Sequence, residues 1–259
     1  MSASTQENEP VEEEQSGSGI LDHLEDLRWV ILKSVFGLFF TVGISVYYID
    51  FIINDILLRP LKEYSPTVKL LNLKPFGQIV LYMEVAFFAG LILGIPWVLY
   101  QLWKFIEPAL YKTEVSYIKS IVFFSSFCFL SGVAFAYFVV IPYSLSFFLS
   151  FGSPMIENFI SAEEYMSFVV QIVLAAGVVF ELPMVSYFLS RLGLLTPAFM
   201  QYYRRYAYIV VVIVAGVITP PDVISQLLLM IPTILLYEIS IFISGRVLKN
   251  KERKATAKA

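Results

Sequence analysis

The chain has 259 residues, of which 58% are hydrophobic and only 15% are charged. Because a soluble domain carries about 25% charged residues, this composition excludes an ordinary soluble protein and indicates a polytopic membrane protein. The formal net charge of -3 says little by itself because the charges are segregated along the chain, and the single cysteine, Cys128, excludes an internal disulfide.

The N-terminal stretch is the opposite of a cleavable signal peptide. Residues 1–19 contain no Lys or Arg and five Glu, so we interpret 1–19 as a disordered acidic tail. The next stretch, ILDHLEDLR at 20–28, places apolar and acidic side chains on opposite helix faces. It predicts an amphipathic lead-in at the membrane surface that runs into the first span.

Six apolar runs follow the lead-in. They lie at roughly 29–49, 77–100, 117–140, 165–189, 206–218 and 223–243. The first four reach the length of about 20 residues that a bilayer requires. The last two are expected to be short, because TPPD interrupts the apolar sequence after Ile218 and because Pro232 and Glu238 lie within the sixth run.

The fold prediction is an all-α polytopic membrane protein with six transmembrane helices. Several of these runs contain proline, which kinks helices, so we expect a curved, concave arrangement instead of a straight bundle. The transmembrane domain spans 20–245, and a basic tail occupies 246–259. A soluble helical core is a poor alternative, since six apolar runs leave too little polar surface to cover them.

The distribution of Lys and Arg predicts the topology. The basic C-terminal tail is expected in the cytoplasm, and with six spans the N-terminus lies there too. The loop at 141–164 contains no Lys or Arg and fits the outside. One loop disagrees, because 50–76 would be external and yet carries four basic residues. They are Arg59, Lys62, Lys69 and Lys74.

Glu181 lies inside the fourth predicted span, where a carboxylate costs several kcal/mol unless it is protonated, paired or hydrated. It is therefore a candidate for binding a proton or a partner helix. The alternative is that Glu181 satisfies backbone groups freed by Pro183. Gln171 lies nearer the outer face and is a second candidate polar contact. Near the inner end, Glu238 is expected to pair with Arg246.

Two acidic clusters are expected at the cytoplasmic surface. Asp22, Glu25 and Asp26 lie in the lead-in, and Glu107 and Glu114 lie in the aromatic, proline-containing loop at 99–114. The inner leaflet is itself anionic, so these carboxylates gain nothing from the lipid. Because Arg binds carboxylates bidentately, the clusters favour an Arg-containing peptide as partner.

The sequence does not indicate an enzyme. His23 is the only histidine, and no metal-ligand spacing, nucleophile motif or phosphate-binding loop is present. We expect no cofactor, no direct use of ATP and no nucleic-acid partner.

Five motifs together resemble one family. They are HLEDLR (23–28), P-x-x-LYQ-x-W-x-F-x-x-PALY-x-x-E (96–114), FELP (180–183), TPPD (219–222) and PTILLYEISIF (232–242). The second is long and specific, and all five occur in order along nearly the whole chain. The sequence is similar to the TatC family, the multi-spanning subunit of the twin-arginine protein translocase.

The resemblance implies a receptor in the cell inner membrane, with both termini cytoplasmic, that binds twin-arginine signal peptides of folded precursors. The family's acidic recognition residues match Asp26 and Glu114, and Phe105 belongs to the same surface. Glu181 matches an intramembrane carboxylate on the concave face, and Pro220, Pro221 and Asp222 form a periplasmic turn. Single-span TatA and TatB subunits are implied partners, together with self-association, the lipid bilayer, and energy from the protonmotive force.

Two residues depart from the family pattern. Asp26 stands where Glu is usual, so the neighbouring Glu25 could assist or substitute. Glu84 stands in the second span where Lys is common. A rival function remains, a proton-coupled transporter of small solutes that uses Glu181 as its proton site. An intramembrane hydrolase is a weaker rival, because the chain lacks the histidines and the nucleophile motif.

Overall fold

The computed structural model describes residues 13–64, 70–106, 118–151, 159–219 and 222–256, with the side chains of 13–24, 254 and 255 left undescribed. Helix dominates these residues, which confirms the predicted all-α class. The α-helices are α1 (Glu13–Tyr47), α2 (Ile49–Phe51), α3 (Arg59–Tyr64), α4 (Gly77–Ile106), α5 (Ile118–Phe135), α6 (Ile141–Ser150), α7 (Ala162–Val179), α8 (Leu182–Leu192), α9 (Pro197–Tyr202), α10 (Arg204–Ile218) and α11 (Val223–Thr256).

Three shorter features connect the helices. Two π-helical segments, Ile52–Leu57 and Ala136–Val140, follow α2 and α5, and we name them π1 and π2. Two-residue strands β1 (Leu70–Leu71) and β2 (Ile160–Ser161) pair in parallel. This pairing ties the segment after α3 to the start of α7, at the end of the molecule where α1 finishes.

Five helical stretches among the described residues are long and apolar enough to cross a membrane. They are Glu25–Tyr47, Gly77–Ile106, Ser120–Ser150, Ala162–Leu192 and Val223–Arg253. The fifth predicted span corresponds to α10, whose 15 residues extend about 22 Å, less than a hydrocarbon core of about 30 Å. The sixth is longer than the predicted 223–243, because the Lys- and Arg-rich sequence after Ser244 favours helix and no proline stops it.

The spans form an open wall. Helix α1 packs along α4, and α4 packs on α5 and α7. Helix α11 packs on α8 and on α10. Of the most apolar part of α1 only 6% is buried against protein, compared with 39% in α7–α8. Helix α1 is therefore at the edge and α7–α8 at the centre, in agreement with the predicted concave architecture.

Small residues bring α1 and α4 into close contact. Gly90 and Gly94 are four residues apart in α4, the spacing at which helices approach closely in membranes. A Cβ atom added at Gly90 would lie 2.5 Å from the Cα atom of Val42, so only glycine fits. The hydroxyl of Thr41 donates to the Gly90 carbonyl at 2.8 Å, which fixes the two helices along their axes.

This contact defines an antiparallel register. Trp97 donates its indole N–H to the carbonyl of Lys33 at 3.0 Å, and Gly90 lies against Val42. In an antiparallel pair, each residue toward the start of α1 corresponds to one toward the end of α4. The two contacts therefore place Asp26 level with residues 104–106.

We expect Trp97→Phe to lower the free energy of unfolding by about 0.5–1.5 kcal/mol, because it removes this one interhelical hydrogen bond and keeps an aromatic ring. Thermal unfolding of the detergent-solubilised chain would measure the change. Trp29→Phe is the matched control, since the Trp29 side chain is exposed on α1. Equal losses in the two variants would contradict the assigned role of Trp97.

Two of the four basic residues that disagreed with the predicted topology pair with carboxylates. Arg59 pairs with Glu63 at 2.8 Å, and Lys74 pairs with Glu163 at 2.8 Å. The hydrogen bond to Glu63 and its negative charge raise the pKa of Arg59 above its ordinary value. Carboxylates pair with two of these charges, but the charge bias of membrane proteins depends on Lys and Arg and little on Asp and Glu, so the loop at 50–76 still disagrees with an external position. Lys69 lies outside the described residues.

Candidate functional site

The N-terminal half of α1 carries the first predicted recognition residues. Glu25 and Asp26 are both exposed. The α1 residues that pack on α4 recur at helical spacing, and this stripe includes Val30, Gly37 and Thr41. Asp26 precedes Val30 by four residues and continues the stripe, whereas Glu25 is rotated by about 100° away from it. Asp26 therefore lies on the side of α1 that faces α4.

The end of α4 is held in place by an aromatic contact. Trp103 is 5% exposed, and its ring meets the ring of Phe188 in α8 edge to face at a centroid distance of 4.7 Å. Ile121 of α5 completes this cluster. Phe105, two residues later, is half-buried at the level of Asp26. The 99–114 loop thus begins on a packed platform, and its residues Glu107, Pro108, Tyr111 and Glu114 lie outside the described residues.

Glu181 lies at a break between two helices. Pro183 lacks a backbone N–H, and its ring clashes with the carbonyl four residues earlier, so α7 ends at Val179 and α8 begins at Leu182. The hydroxyl of Ser125 in α5 donates to Glu181 Oε2 at 2.5 Å. Glu181 makes no side-chain hydrogen bond to the start of α8. The alternative that its carboxylate satisfies backbone groups freed by Pro183 is therefore wrong.

The other carboxylate oxygen, Oε1 of Glu181, is buried and has no hydrogen-bond partner among the described residues. A buried oxygen without a partner costs about 1–3 kcal/mol. Ser125 is fully buried. Ser125 and Glu181 thus form a polar site inside an apolar wall. Its free acceptor, Oε1 of Glu181, is available to a proton or to a polar group of a binding partner.

Gln171 lines a groove on the same helix unit. It is exposed, and it borders an open groove of about 440 Å³ together with Phe88 of α4 and Val214 and Val217 of α10. Ten residues separate Gln171 from Glu181, which corresponds to about 15 Å along the helix. The two predicted polar residues therefore do not form one site, although they lie along the same part of the wall.

Glu84 has a partner that sequence reasoning missed. The hydroxyl of Ser167 in α7 donates to Glu84 Oε1 at 2.9 Å. Ser167 precedes Gln171 by one helical turn, so this pair extends the polar edge of the groove. Ser125 and Ser167 were both overlooked because a serine in an apolar run is ordinary and its partner is distant in sequence.

Asp222 caps the last helix. Its Oδ1 accepts from the backbone N–H of Ser225 at 2.6 Å, which satisfies a free donor in the first turn of α11. Ser225 also donates to the Ser144 hydroxyl at 2.6 Å and so joins α11 to α6. The described part of the predicted turn therefore has structural contacts, while Pro220 and Pro221 lie outside the described residues.

The expected pair between Glu238 and Arg246 is wrong. Glu238 instead pairs with Arg204 of α10 at 2.6 Å and accepts from the Tyr208 hydroxyl. Arg246 lies over the ring of Phe242 at 4.3 Å. The reason is that α10 packs on α11, which brings the first turn of α10 beside Glu238.

Comparison with known proteins identifies a family over the part of the chain that carries most of these motifs. A family model described as TatC, Sec-independent protein translocase protein, matches residues 22–232. The chain belongs to the TatC family. The match covers the lead-in, the loop after α4, the helix break at Glu181 and the turn before α11. The chain is therefore a multi-pass membrane protein of a protein-translocase family.

Relatives match over nearly their whole length. TatC of Aquifex aeolicus is 36% identical over 237 residues, which cover 91% of this chain and 98% of the relative. TatC of Listeria innocua is 38% identical over 241 residues, which cover 91% and 95%. A crystal structure described as the twin-arginine translocase receptor TatC is 35% identical with a TM-score of 0.80, covering 87% of this chain and 99% of that one.

Proposed function

We propose that this chain is the receptor and core subunit of a twin-arginine protein export system. It binds the paired-Arg signal peptide of folded precursors at its cytoplasmic surface, through Asp26 and Glu114. The observation that carries the proposal is the α1–α4 register, in which Asp26 is level with Phe105. Phe105 precedes Glu114 by nine residues in the sequence. Membership in the TatC family supports the same assignment.

The chemistry fits a pair of arginines. A guanidinium group presents parallel N–H donors that match a carboxylate, so two spaced carboxylates can bind two consecutive Arg side chains. Asp26 lies on the side of α1 that faces α4, and Glu25 does not. This favours Asp26 as the carboxylate that binds arginine, with Glu25 adding negative charge nearby. Phe105 contributes an apolar surface for the flanking peptide.

After docking, the apolar part of the signal peptide inserts along the concave face toward Glu181 and reaches the groove beside Gln171 beyond it. The open shape and the mostly apolar lining of the groove support this assignment. A peptide donor that reaches Glu181 would satisfy the buried oxygen Oε1. In this position the peptide lies against α10, the short fifth span.

Helix α10 offers a surface for partner subunits. Ile209 and Ile213 are four residues apart, lie outside the groove lining and are 56% and 59% exposed. In lipid, such a face can pack against another helix. We assign it to the single-span partners, TatA and TatB, which dock along α10 and α11. We assign the protein to the cell inner membrane with both termini in the cytoplasm, and in this proposal the protonmotive force drives transport.

Site-specific crosslinking tests the receptor function. Photo-reactive residues at 26 and 114 in the full chain are expected to crosslink to the signal peptide of a twin-Arg precursor, and a twin-Lys precursor is expected to lose this product. Position 252 is a control, since Glu252 is exposed on the same side of the membrane. Equal crosslinking of both precursors at position 26 would overturn the proposal.

Glu181→Gln separates this function from the rival transporter. We expect precursor binding to stay within about twofold and export to fall about tenfold, because the acceptor that the inserted peptide needs is weakened. Ser125→Ala is the companion variant, since it leaves both carboxylate oxygens without a partner among the described residues. Solute uptake into proteoliposomes that contain this chain alone, lost in Glu181→Gln, would instead support the transporter.

A further inference from the structure

A second hollow lies in the wall, away from the proposed signal-peptide groove. It is an apolar cavity of about 350 Å³ between α4, α5 and α7. Val85, Val133 and Val173 form part of its walls. Its lining residues run from Val85 to Leu93 in α4, from Leu130 to Ala134 in α5 and from Val169 to Val173 in α7. The cavity therefore extends from the middle of the wall into the half nearest the end of α1.

The two π-helical segments form the mouth of this cavity. A π turn bonds each N–H to the carbonyl five residues earlier, as Leu58 does to Ile53, and so leaves other carbonyls of the segment without helical partners. Side chains satisfy these carbonyls. The Tyr137 hydroxyl donates to Ile56 at 2.8 Å, and the Tyr165 hydroxyl donates to Leu57 at 2.8 Å.

These hydrogen bonds hold the mouth in one arrangement, since they join π1 to π2 and to α7. Both π segments contribute side chains to the cavity, including Ile52 from π1 and Phe138 from π2. Isolated π segments are frequent at functional sites, because they place side chains where an α-helix cannot.

A polar hollow of about 550 Å³ continues from the mouth. It shares Ile56 and Tyr137 with the apolar cavity, and it adds the two cations Arg59 and Lys62 and the carboxylate of Asp55. Its lining thus carries two cations and one carboxylate, and Glu63, the partner of Arg59, lies beside it.

Both cations keep donors for a ligand. Arg59 uses its Nε–H on Glu63, and Lys62 donates to the carbonyl of Asn54 at 2.9 Å. A guanidinium has five N–H donors and an ammonium has three, so each cation has further donors.

We propose that this continuous hollow binds one phospholipid of the outer leaflet, with an acyl chain in the apolar cavity and the phosphate against Arg59 and Lys62. The order of the two parts supports a lipid, because the apolar part lies within the membrane depth and the cationic part lies beyond the end of α1. Phosphate is the complementary charge for a Lys and Arg pair. The lipid also accounts for cations on the outer side, where the charge bias of membrane proteins disfavours them.

The site is tested by adding phosphatidylglycerol to the delipidated full chain in detergent. Native mass spectrometry then measures how many lipids are bound and how tightly. We expect one phosphatidylglycerol to be bound, and a diacylglycerol with the same chains to bind about tenfold more weakly. The double variant Arg59→Gln with Lys62→Gln is expected to lose about tenfold in affinity for phosphatidylglycerol. Lys74→Gln is the matched control, since Lys74 pairs with Glu163 outside both hollows, and it should bind normally.

The cavity is tested separately from the charges. Val133→Phe fills the apolar part and is expected to weaken both lipids, whereas Val46→Phe, at an exposed position on α1, should weaken neither. Unchanged binding in the charge variant and in the cavity variant would overturn the proposal. Glycerol phosphate alone binding as tightly as the lipid would also overturn it, in favour of an anion site. Photo-crosslinking from position 138 in whole membranes should capture lipid, and capture of a second copy or of another protein would contradict the assignment.

Discussion

Replacing Asp26 by Asn and Glu114 by Gln together is expected to weaken twin-Arg signal-peptide binding by at least about a hundredfold and to stop export. Each carboxylate would lose a charge-assisted hydrogen-bond pair worth about 1.5–3 kcal/mol, and every 1.4 kcal/mol is about tenfold in affinity. Titration of a fluorescent signal peptide against the full chain in nanodiscs would measure the binding, and transport into inverted membrane vesicles would measure export.

Three single variants, Glu25→Gln, Asp26→Asn and Glu252→Gln, sharpen this experiment. Glu25→Gln is expected to weaken binding only severalfold, because Glu25 is rotated away from the side of α1 that faces α4. Glu252→Gln keeps the same loss of charge on the cytoplasmic side and should leave binding unchanged. Normal binding and export in the double variant would refute the receptor proposal. A larger loss in Glu25→Gln than in Asp26→Asn would show that Glu25 replaces Asp26 as the recognition residue.

Replacing Gly90 by Ala is expected to lower the free energy of unfolding by about 2 kcal/mol. Overpacking costs about 1–3 kcal/mol, and here the added Cβ meets the backbone of Val42 at 2.5 Å, which a rotamer change cannot relieve. Alanine regains up to about 1 kcal/mol of helix propensity. Because α1 must move away from α4, the distance between Asp26 and Phe105 increases and signal-peptide binding should fall as well. Thermal unfolding in detergent and the peptide titration measure the two effects.

Gly43→Ala is the matched control for Gly90→Ala. It adds the same atom to α1 at the residue after Val42, where nothing lies within 4 Å of the new Cβ. We expect it to be neutral or to stabilise the chain by up to about 1 kcal/mol, with unchanged peptide binding. If the two variants behave alike, close packing of α1 on α4 does not hold the recognition residues in place.

Much of this fold follows from local sequence properties. The apolar runs predicted the spans because crossing lipid requires a minimum length of apolar helix, and the short α10 follows from the turn residues after Ile218. Pro183 predicted a distortion beside Glu181, since proline removes a hydrogen bond wherever the helix is placed. The acidic residues of the lead-in and of the 99–114 loop were visible as charges that an anionic membrane surface would not attract.

Contacts between helices were not predictable in the same way. Ser125 and Glu181 are 56 residues apart, Ser167 and Glu84 are 83 residues apart, and the expected partner of Glu238 was the wrong arginine. Lipid is as apolar as a leucine side chain, so hydrophobic periodicity does not show which face of a span packs on protein.

By itself, the sequence determined that the chain crosses a membrane several times, which residues are charged within it, and the family motifs it carries. Only the tertiary structure decided the level of Asp26 against Phe105, the partners of the buried carboxylates, and the joined hollows beside π1 and π2. The physical reason is that spans follow from the transfer of whole helices into lipid, whereas register follows from close packing at a few glycines and from single hydrogen bonds between distant residues.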